Sequence, residues 1–281
     1  MPPRIRLIAL DLDGTMLDPS GNVSPRVLSA LDRAAAAGVR VVVATGRRYR
    51  SSREIAERLP ATRYVIAHHG AVVKSLEDDE TVHSALLPMD LSLEAAGLMR
   101  GEGLDALVFV DGFEEGIDFY VAAAPGAGEA DDFAGRYPEC WRPLEEGRRP
   151  PFEGAAEVVA LGQPEELEAA GRVLEAELGD AAAFQILKSP RYEYYFLEVL
   201  SPAAGKGKAL LELAGRLEIR AEETGAVGDD LNDLNMFAAA GVSAAMADAP
   251  EEVRAAADFV VPSNADDGAA EAISRLLERR L

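Results

Sequence analysis

Two aspartates, Asp11 and Asp13, stand one residue apart where the apolar run from Ile5 to Leu10 ends, and Gly14 follows them. The run reads as a buried strand that delivers charge to its own C-terminal end. Two anions this close repel, and both stay ionised only beside a compensating cation, typically a hard one with oxygen ligands such as Mg2+. A competing reading makes Asp-Leu-Asp-Gly a surface turn, since Asp-Gly pairs are common turn formers. On these residues alone the two readings stand level.

Residues further along the chain separate them. Thr45-Gly46-Arg47-Arg48 closes a β-branched run, Val39 to Ala44, and Gly228-Asp229-Asp230-Leu231-Asn232-Asp233 closes a short one, Gly225 to Val227. Lys206 lies on a glycine-flanked turn, Gly205-Lys206-Gly207. Three carboxylates and a hydroxyl at strand ends, with one lysine, make a constellation that no single motif would establish.

The elements that must position these residues alternate in type. Ser24-Pro25 predicts an N-cap followed by proline at the first helical position, with Val27, Leu28, Leu31 and Ala35 on the apolar face and Gly38 as the stop. The strand Val39 to Ala44 comes next. Ser51 with Glu54 suits a capping box for a second helix ended by Pro60, and Tyr64 to Ala67 is a third strand before His68-His69-Gly70. Strands alternating with short helices imply a doubly wound α/β fold, a Rossmann-like parallel sheet whose ligands bind beyond the carboxyl ends of the strands.

Between Leu86 and Arg191 the texture changes to that of an inserted α+β unit. Helices are predicted over Leu91 to Met99, Asp131 to Tyr137 and Glu165 to Leu178, the last opened by Pro164. Strands are predicted over Ala106 to Val110, Ile117 to Ala122, Glu157 to Leu161, Phe184 to Lys188 and Tyr194 to Leu200, in hairpin-like pairs. Arg142 to Gly154 reads as an exposed loop. The expected division is a core of residues 1–84 and 192–281 around an insert of 85–191. The first texture then returns with a helix Ala209 to Leu217, the strand ending at Gly228, a helix capped by Asn232 and closed by Gly241, strands Val242 to Met246 and Phe259 to Val261, and a last helix Gly268 to Arg280.

Composition narrows the functional classes. With 281 residues, 48% of them hydrophobic, the chain can build one large core or two modest ones. Its 49 acidic against 28 basic residues give a formal charge of -21, scattered along the chain, which argues against nucleic acid or anionic membranes as partners. An anionic substrate would need a local positive feature. Cys140 is the one cysteine, so no intrachain disulfide can form. The first apolar run is too short for a signal peptide or membrane span, and the expected location is cytoplasmic.

The motifs taken together resemble the haloacid dehalogenase superfamily, and within it the Cof-like hydrolases with a type IIB cap. Asp-Leu-Asp-Gly-Thr at 11 to 15 is similar to the first family motif, Ala-Thr-Gly-Arg at 44 to 47 to the second, Lys206-Gly207 to the third and Gly-Asp-Asp-Leu-Asn-Asp at 228 to 233 to the fourth. Further similarity runs through Asn235-Met236, Ala245 to Ala249 and Ser263-Asn264. The resemblance implies a phosphatase for small phosphomonoesters, such as sugar phosphates or phosphorylated cofactors, working as a monomer or weak homodimer. It implies Asp11 as the nucleophile and Asp13 as the proton donor and acceptor. Mg2+ would be held by the Asp11 carboxylate, the Asp13 backbone carbonyl and Asp229. Thr45, the Leu12 and Gly46 backbone amides, Lys206 and Asn232 would bind the transferring oxygens, and Asp233 would orient Lys206 or a metal-bound water. Such chemistry fits the residue types, because a carboxylate attacks phosphorus once the phosphate charge is neutralised.

Each residue also has a plainer reading. Lys206 alone would be a helix-start lysine, Asp230 reads as a solvated loop residue, and Arg47 is open between substrate contact and an ion pair. His69 departs from the asparagine usual before Gly-Ala in the family. His68, His69 and His83 lack the spacing of a zinc site. Trp141, Tyr192, Tyr194 and Tyr195 read as cap packing, while Lys188 and Arg191 could reach a leaving group. The rivals are a sucrose phosphate, mannosyl-3-phosphoglycerate or phosphomutase relative with the same cap, and a non-catalytic Mg2+ and phosphate binding module. Pure binding gives no reason to keep Asp13 as a proton donor.

Overall fold

Leu7–Leu10 (β1) is apolar at four successive positions and all four side chains are buried, the condition of a central strand covered on both faces. The computed structural model in which it sits describes residues 4–124, 129–188 and 193–278. By internal contact the chain divides into two units, Met1–Ser84 with Gly205–Leu281, and Ala85–Ala204.

In the first unit β1 is followed by α1 (Pro25–Ala36), β2 (Arg40–Ala44), α2 (Tyr49–Ala56), β3 (Thr62–Ala67), β4 (Val72–Ser75) and β5 (Thr81–Ser84). Ser24 caps α1 by accepting the Val27 N–H at 3.2 Å, with Pro25 at the first position, as the spacing predicts. The buried face runs through Val27, Ala30, Leu31 and Ala34, so Ala35 is exposed instead of inward. The capping box expected at Ser51 does not form. The helix α2 begins three residues earlier, after an extended Arg48 in the N-cap position, and Ser51 Oγ donates back to the Arg48 carbonyl at 3.1 Å. The hairpin β4–β5 has no counterpart in the sequence reading. Its turn is held to α2 by Asp79, which accepts from the Tyr49 hydroxyl and from Arg53 Nε, the latter at 2.7 Å.

The second unit runs β6 (Leu87–Pro88), α3 (Met89–Gly101), β7 (Ala106–Gly112), β8 (Ile117–Ala122), α4 (Glu129–Gly135), β9 (Trp141–Pro143), β10 (Gly154–Ala155), β11 (Glu157–Gly162), α5 (Pro164–Leu178), β12 (Ala183–Lys188) and β13 (Tyr195–Leu200). Its main sheet has the order β12-β13-β11-β7-β8-β9 and is antiparallel except at β8–β9, while β6 and β10 pair separately. One sheet face packs Val108, Val158 and Val199 against Ala96 and Met99 of α3 and Leu167 and Leu174 of α5. The other packs Phe109 and Phe119 against Phe133 of α4, edge to face. The expected boundary at 191/192 is corrected to 204/205, because β13 is laddered to both β11 and β12 and cannot leave that sheet. The stretch expected as a loop, Arg142 to Gly154, lends its ends to β9 and β10. Arg191 and Tyr192 lie outside the described residues.

The first unit resumes with α6 (Lys206–Arg216), β14 (Thr224–Gly228), α7 (Leu234–Ala239), β15 (Val242–Met246), α8 (Glu251–Ala256), β16 (Phe259–Val261) and α9 (Gly268–Glu278); Arg280, the expected end of that helix, lies outside the described residues. Its sheet has the order β16-β15-β14-β1-β2-β3-β4-β5, parallel from β16 to β3 and antiparallel at β4 and β5. Leu7, Ala9, Val42, Ala44, Ile66 and Ala226 meet the apolar residues of α6, α7 and α8. Leu276 of α9 lies against Gly225, which faces away from Ala226, and α9 packs on α1. This is the doubly wound α/β architecture with an inserted α+β unit. Among the described residues no helix is long and apolar enough to cross a membrane.

Candidate active site

β1 is flanked by β14 on one side and β2 on the other, so the strand order switches direction there. In open parallel sheets that switch leaves a crevice at the carboxyl ends of the strands. Asp11 follows β1, Thr45 follows β2 and Asp229 follows β14, and all three arrive at the same edge. The Asp11 N–H is tied to the Val227 carbonyl at 3.0 Å and the Thr45 N–H to Ile66 at 2.9 Å, so each side chain leaves from a fixed backbone.

After Asp11 the chain makes a wide turn over Leu12–Met16, closed by the Leu17 N–H on the Leu12 carbonyl at 2.9 Å. Gly14 holds a left-handed φ of 81° there, and a Cβ on it would lie 2.1 Å from Asp229 Oδ2. Only a residue without a side chain lets this turn reach the Asp229 carboxylate. Thr15, for which the sequence suggested no role, donates its hydroxyl to Asp229 Oδ1 at 2.6 Å.

Lys206 is the centre of the arrangement. It opens α6, three residues before the expected helix start, because its N-cap Gly205 has a φ of 156° and Asn235 Oδ1 accepts the Gly207 N–H at 2.7 Å. A Cβ on Gly207 would lie 2.0 Å from the Asn235 carbonyl oxygen, so glycine here lets α6 close on α7. The Lys206 ammonium is 1% exposed and donates to Asp11 Oδ1 at 2.6 Å, Asp233 Oδ1 at 2.7 Å and Asn232 Oδ1 at 3.1 Å. Asn232 therefore does not cap α7 as expected, because its side chain is turned to the lysine. Asp230 caps the short turn instead, accepting the Leu231 N–H at 2.7 Å. The other oxygen of Asp233 accepts the N–H groups of Asp229 and Asp230, at 2.9 and 3.2 Å, which fixes the loop and the lysine together.

Carboxylate oxygens of Asp11, Asp229 and Asp233 lie within 4.8 Å of one another. Three carboxylates against one ammonium leave a formal surplus of two negative charges, the complement of a divalent ion with oxygen ligands. Electrostatics report the same deficit. Burial pushes the Asp11 carboxyl well above the usual carboxylate range although Lys206 opposes it, with repulsion from Asp233 and Asp229 adding to the rise. Burial likewise pushes Asp229 up to about 7, against the Thr15 hydrogen bond. The lysine is held well above its ordinary value, since Asp11 and Asp233 together outweigh its own desolvation.

Asp13 stands apart from that cluster. Arg47 forks across it, Nε donating to Oδ2 at 2.6 Å and a terminal nitrogen to Oδ1, so the alternative left open for Arg47 resolves as an ion pair with Asp13. The Arg47 N–H also donates to Thr45 Oγ1 at 3.1 Å. On the proton-carrying role that the motif resemblance implies for Asp13, replacing Arg47 by Ala is expected to lower kcat about tenfold to a hundredfold with KM changed less than about threefold, because the loss would fall on the orientation of Asp13. Partial recovery in Arg47→Lys, which keeps the charge but not the fork, separates orientation from folding. A KM effect as large as the kcat effect would assign Arg47 to substrate binding.

His68 and His69 have φ of 48° and 54°, two consecutive left-handed residues before Gly70. The turn is held by the His68 and His69 N–H groups on the Arg47 and Thr45 carbonyls, at 3.0 and 3.1 Å. It lays the His69 ring directly over Gly46, where a Cβ would fall 2.4 Å from the imidazole. This turn was not anticipated from the sequence; the available signal was weak, since histidine, like asparagine and aspartate, enters the left-handed region more often than other residues with a side chain.

A family model described as haloacid dehalogenase-like hydrolase matches residues 8–273. The chain belongs to that family. Phosphatase YwpJ of Bacillus subtilis is 30% identical over 97% of this chain and 100% of its own length. Pyridoxal phosphate phosphatase YbhA of Escherichia coli is 26% identical over 95% of this chain and 97% of its own. The crystal structure of a haloacid dehalogenase-like hydrolase from Bacteroides thetaiotaomicron superposes with a TM-score of 0.79 at 25% identity, covering 97% of this chain and 100% of that one. The family resemblance read from the four motifs thus holds, as does the expectation of a hydrolase of the phosphomonoesterase type. In this member of the haloacid dehalogenase-like family the first motif meets the fourth through Thr15–Asp229, 214 positions apart, and the third through Lys206–Asp11, 195 apart.

Proposed function

We propose that this protein hydrolyses small phosphomonoesters through a phosphorylated Asp11, with Asp13 as the proton carrier and a divalent cation, Mg2+, as cofactor. The observation that carries the reading is the buried Lys206 joined to Asp11 within a carboxylate cluster it does not neutralise. The residues fit a hard divalent ion. Asp11 and Asp229, with the Asp13 carbonyl, would hold it, and when bound it would neutralise phosphate charge and so permit attack by an anion.

This chain's own groups supply the rest. Lys206 engages Oδ1 of Asp11, which leaves Oδ2 to attack phosphorus. As the new O–P bond forms, the ester O–P bond breaks, and Asp13 passes a proton to the departing alkoxide. A water then attacks the same phosphorus, Asp13 takes its proton, and the bond to Asp11 breaks to give phosphate and the free carboxylate. Charge that spreads over the transferring oxygens meets the Lys206 ammonium, the Thr45 hydroxyl, the Leu12 and Gly46 amides and the Asn232 amide group. Asp233 holds Lys206 in place from behind. The proposed substrates are sugar phosphates or phosphorylated cofactors, and the cofactor part of that class is supported by a relative named for pyridoxal phosphate.

The test is a panel of phosphorylated metabolites assayed for phosphate release with Mg2+ and with chelator. Release from at least one that chelator abolishes is expected, and no release from any would favour the binding module. Mg2+ at about a hundred times its Kd should add about 2.7 kcal/mol of stability, read as a rise in Tm of several degrees. Asp229→Ala should cancel that rise, and a rise of unchanged size would remove Asp229 from the metal site.

A further inference from the structure

The charge-rich stretch after Trp141, which the catalytic reading leaves unused, walls a cavity of about 300 Å3 within the inserted unit. Arg142, Arg148 and Arg149 are among the residues that line it, with Glu145 the one acidic residue of the lining. In a chain of net charge -21 such a concentration of positive charge runs against the background. The cavity size falls at the lower end of small-ligand sites.

Its cations are only loosely committed. Arg148 pairs with Glu145 at 2.8 Å and Arg149 with Asp90 at 3.1 Å, but all four side chains are more than half exposed, and pairs of that kind contribute little and exchange readily. Arg142 donates to the Trp141 carbonyl at 2.7 Å and, among the described residues, meets no carboxylate. Tyr120 reaches the same cavity from β8 with its ring against Phe152, and no described residue accepts from its hydroxyl. Burial raises its pKa against the opposing charge of Arg142 and Arg148, with the nearby Glu115 carboxylate adding to the rise, so the phenol keeps its proton and is a donor.

We propose that this cavity is a second anion site that binds the diphosphate group of a small ligand, using the forks of Arg142, Arg148 and Arg149 and the Tyr120 hydroxyl. Guanidinium forks match phosphate oxygens in pairs. Three forks and a phenol offer more donors than a single bidentate phosphate contact uses, which suits two linked phosphoryl groups. None of these residues belongs to the cluster at Asp11, so binding here can be measured separately from hydrolysis.

The probe is methylenediphosphonate, which resists hydrolysis, titrated calorimetrically into the full chain in the presence of chelator. Saturable binding of one equivalent is expected. Arg142→Ala and Arg148→Ala should each weaken it roughly tenfold or more, while Asp11→Asn leaves it unchanged. These arginines are exposed, so the variants should keep the wild-type Tm, which is measured alongside. Arg142→Lys should bind more weakly than wild type, because charge without the fork is not enough. No saturable binding below about 10 mM, or binding that Asp11→Asn removes and Arg142→Ala leaves intact, would overturn the proposal.

Discussion

Asp11→Asn is expected to lower phosphate release from p-nitrophenyl phosphate by a factor of about 10^4 or more, because an amide cannot form the acyl phosphate. The substitution keeps the volume and can still meet Lys206, so the fold should survive, and an unchanged circular dichroism spectrum would establish that the loss is chemical. A hydroxylamine-sensitive phosphoenzyme should be trapped in wild type and be missing in the variant. Asp13→Asn is the informative companion. It should cost about 10^2 to 10^4 in rate while keeping the Mg2+-induced rise in Tm, since only the Asp13 backbone carbonyl is assigned to the cation. Wild-type turnover in either variant would dismantle the assigned roles.

Lys206→Met should produce the largest loss of stability of any single change considered. The ammonium is fully enclosed and bonded to two carboxylates that are themselves buried, so its removal leaves charge uncompensated, at a cost of about 3–5 kcal/mol. Thermal unfolding in chelator should fall by about 10 °C. The pH dependence has a definite sign. Asp11 is held above its unfolded value, so the folded state binds the proton more tightly than the unfolded one, and the penalty of its burial grows as pH rises from the acid range through the folded pKa. Without the lysine that penalty is larger, and the Tm difference from wild type should widen from pH 5 to pH 8. A difference that narrowed with rising pH would mean that Asp11 is not the group left exposed to the change. Activity should be lost as well, and Lys206→Arg should recover stability better than activity, because a wider cation cannot meet Asp11, Asn232 and Asp233 with one nitrogen.

These effects are large because the centre is built from charge in a dry place. Lys206 is not a helix-start lysine in solvent but the shared counter-ion of Asp11 and Asp233, and at Gly14 and Gly207 a neighbouring side chain or backbone comes too close for a Cβ. The surplus of negative charge is what the proposed divalent ion would offset.

Much of the molecule was legible in linear order. Strand β15 falls on the predicted residues, α5 opens at the expected proline, Ser24 caps α1, and the doubly wound core with its insert follows from alternating periods, since hydrophobic spacing is a local property that burial must obey. Four motifs in a set order were enough to name the family and the residues at the strand ends. What linear order could not carry was every contact made across loops. The fork of Arg47 on Asp13, the Thr15 hydroxyl on Asp229, the turning of Asn232 from cap to lysine ligand and the His69 ring over Gly46 depend on which loops meet at the β1 edge. So does the place of β13, whose pattern suits either unit and whose partners β11 and β12 alone assign it to the inserted sheet. Side-chain partners a few ångströms apart in space but far apart in sequence are chosen by folding, because residue type specifies what a group can bond to and not which group will arrive.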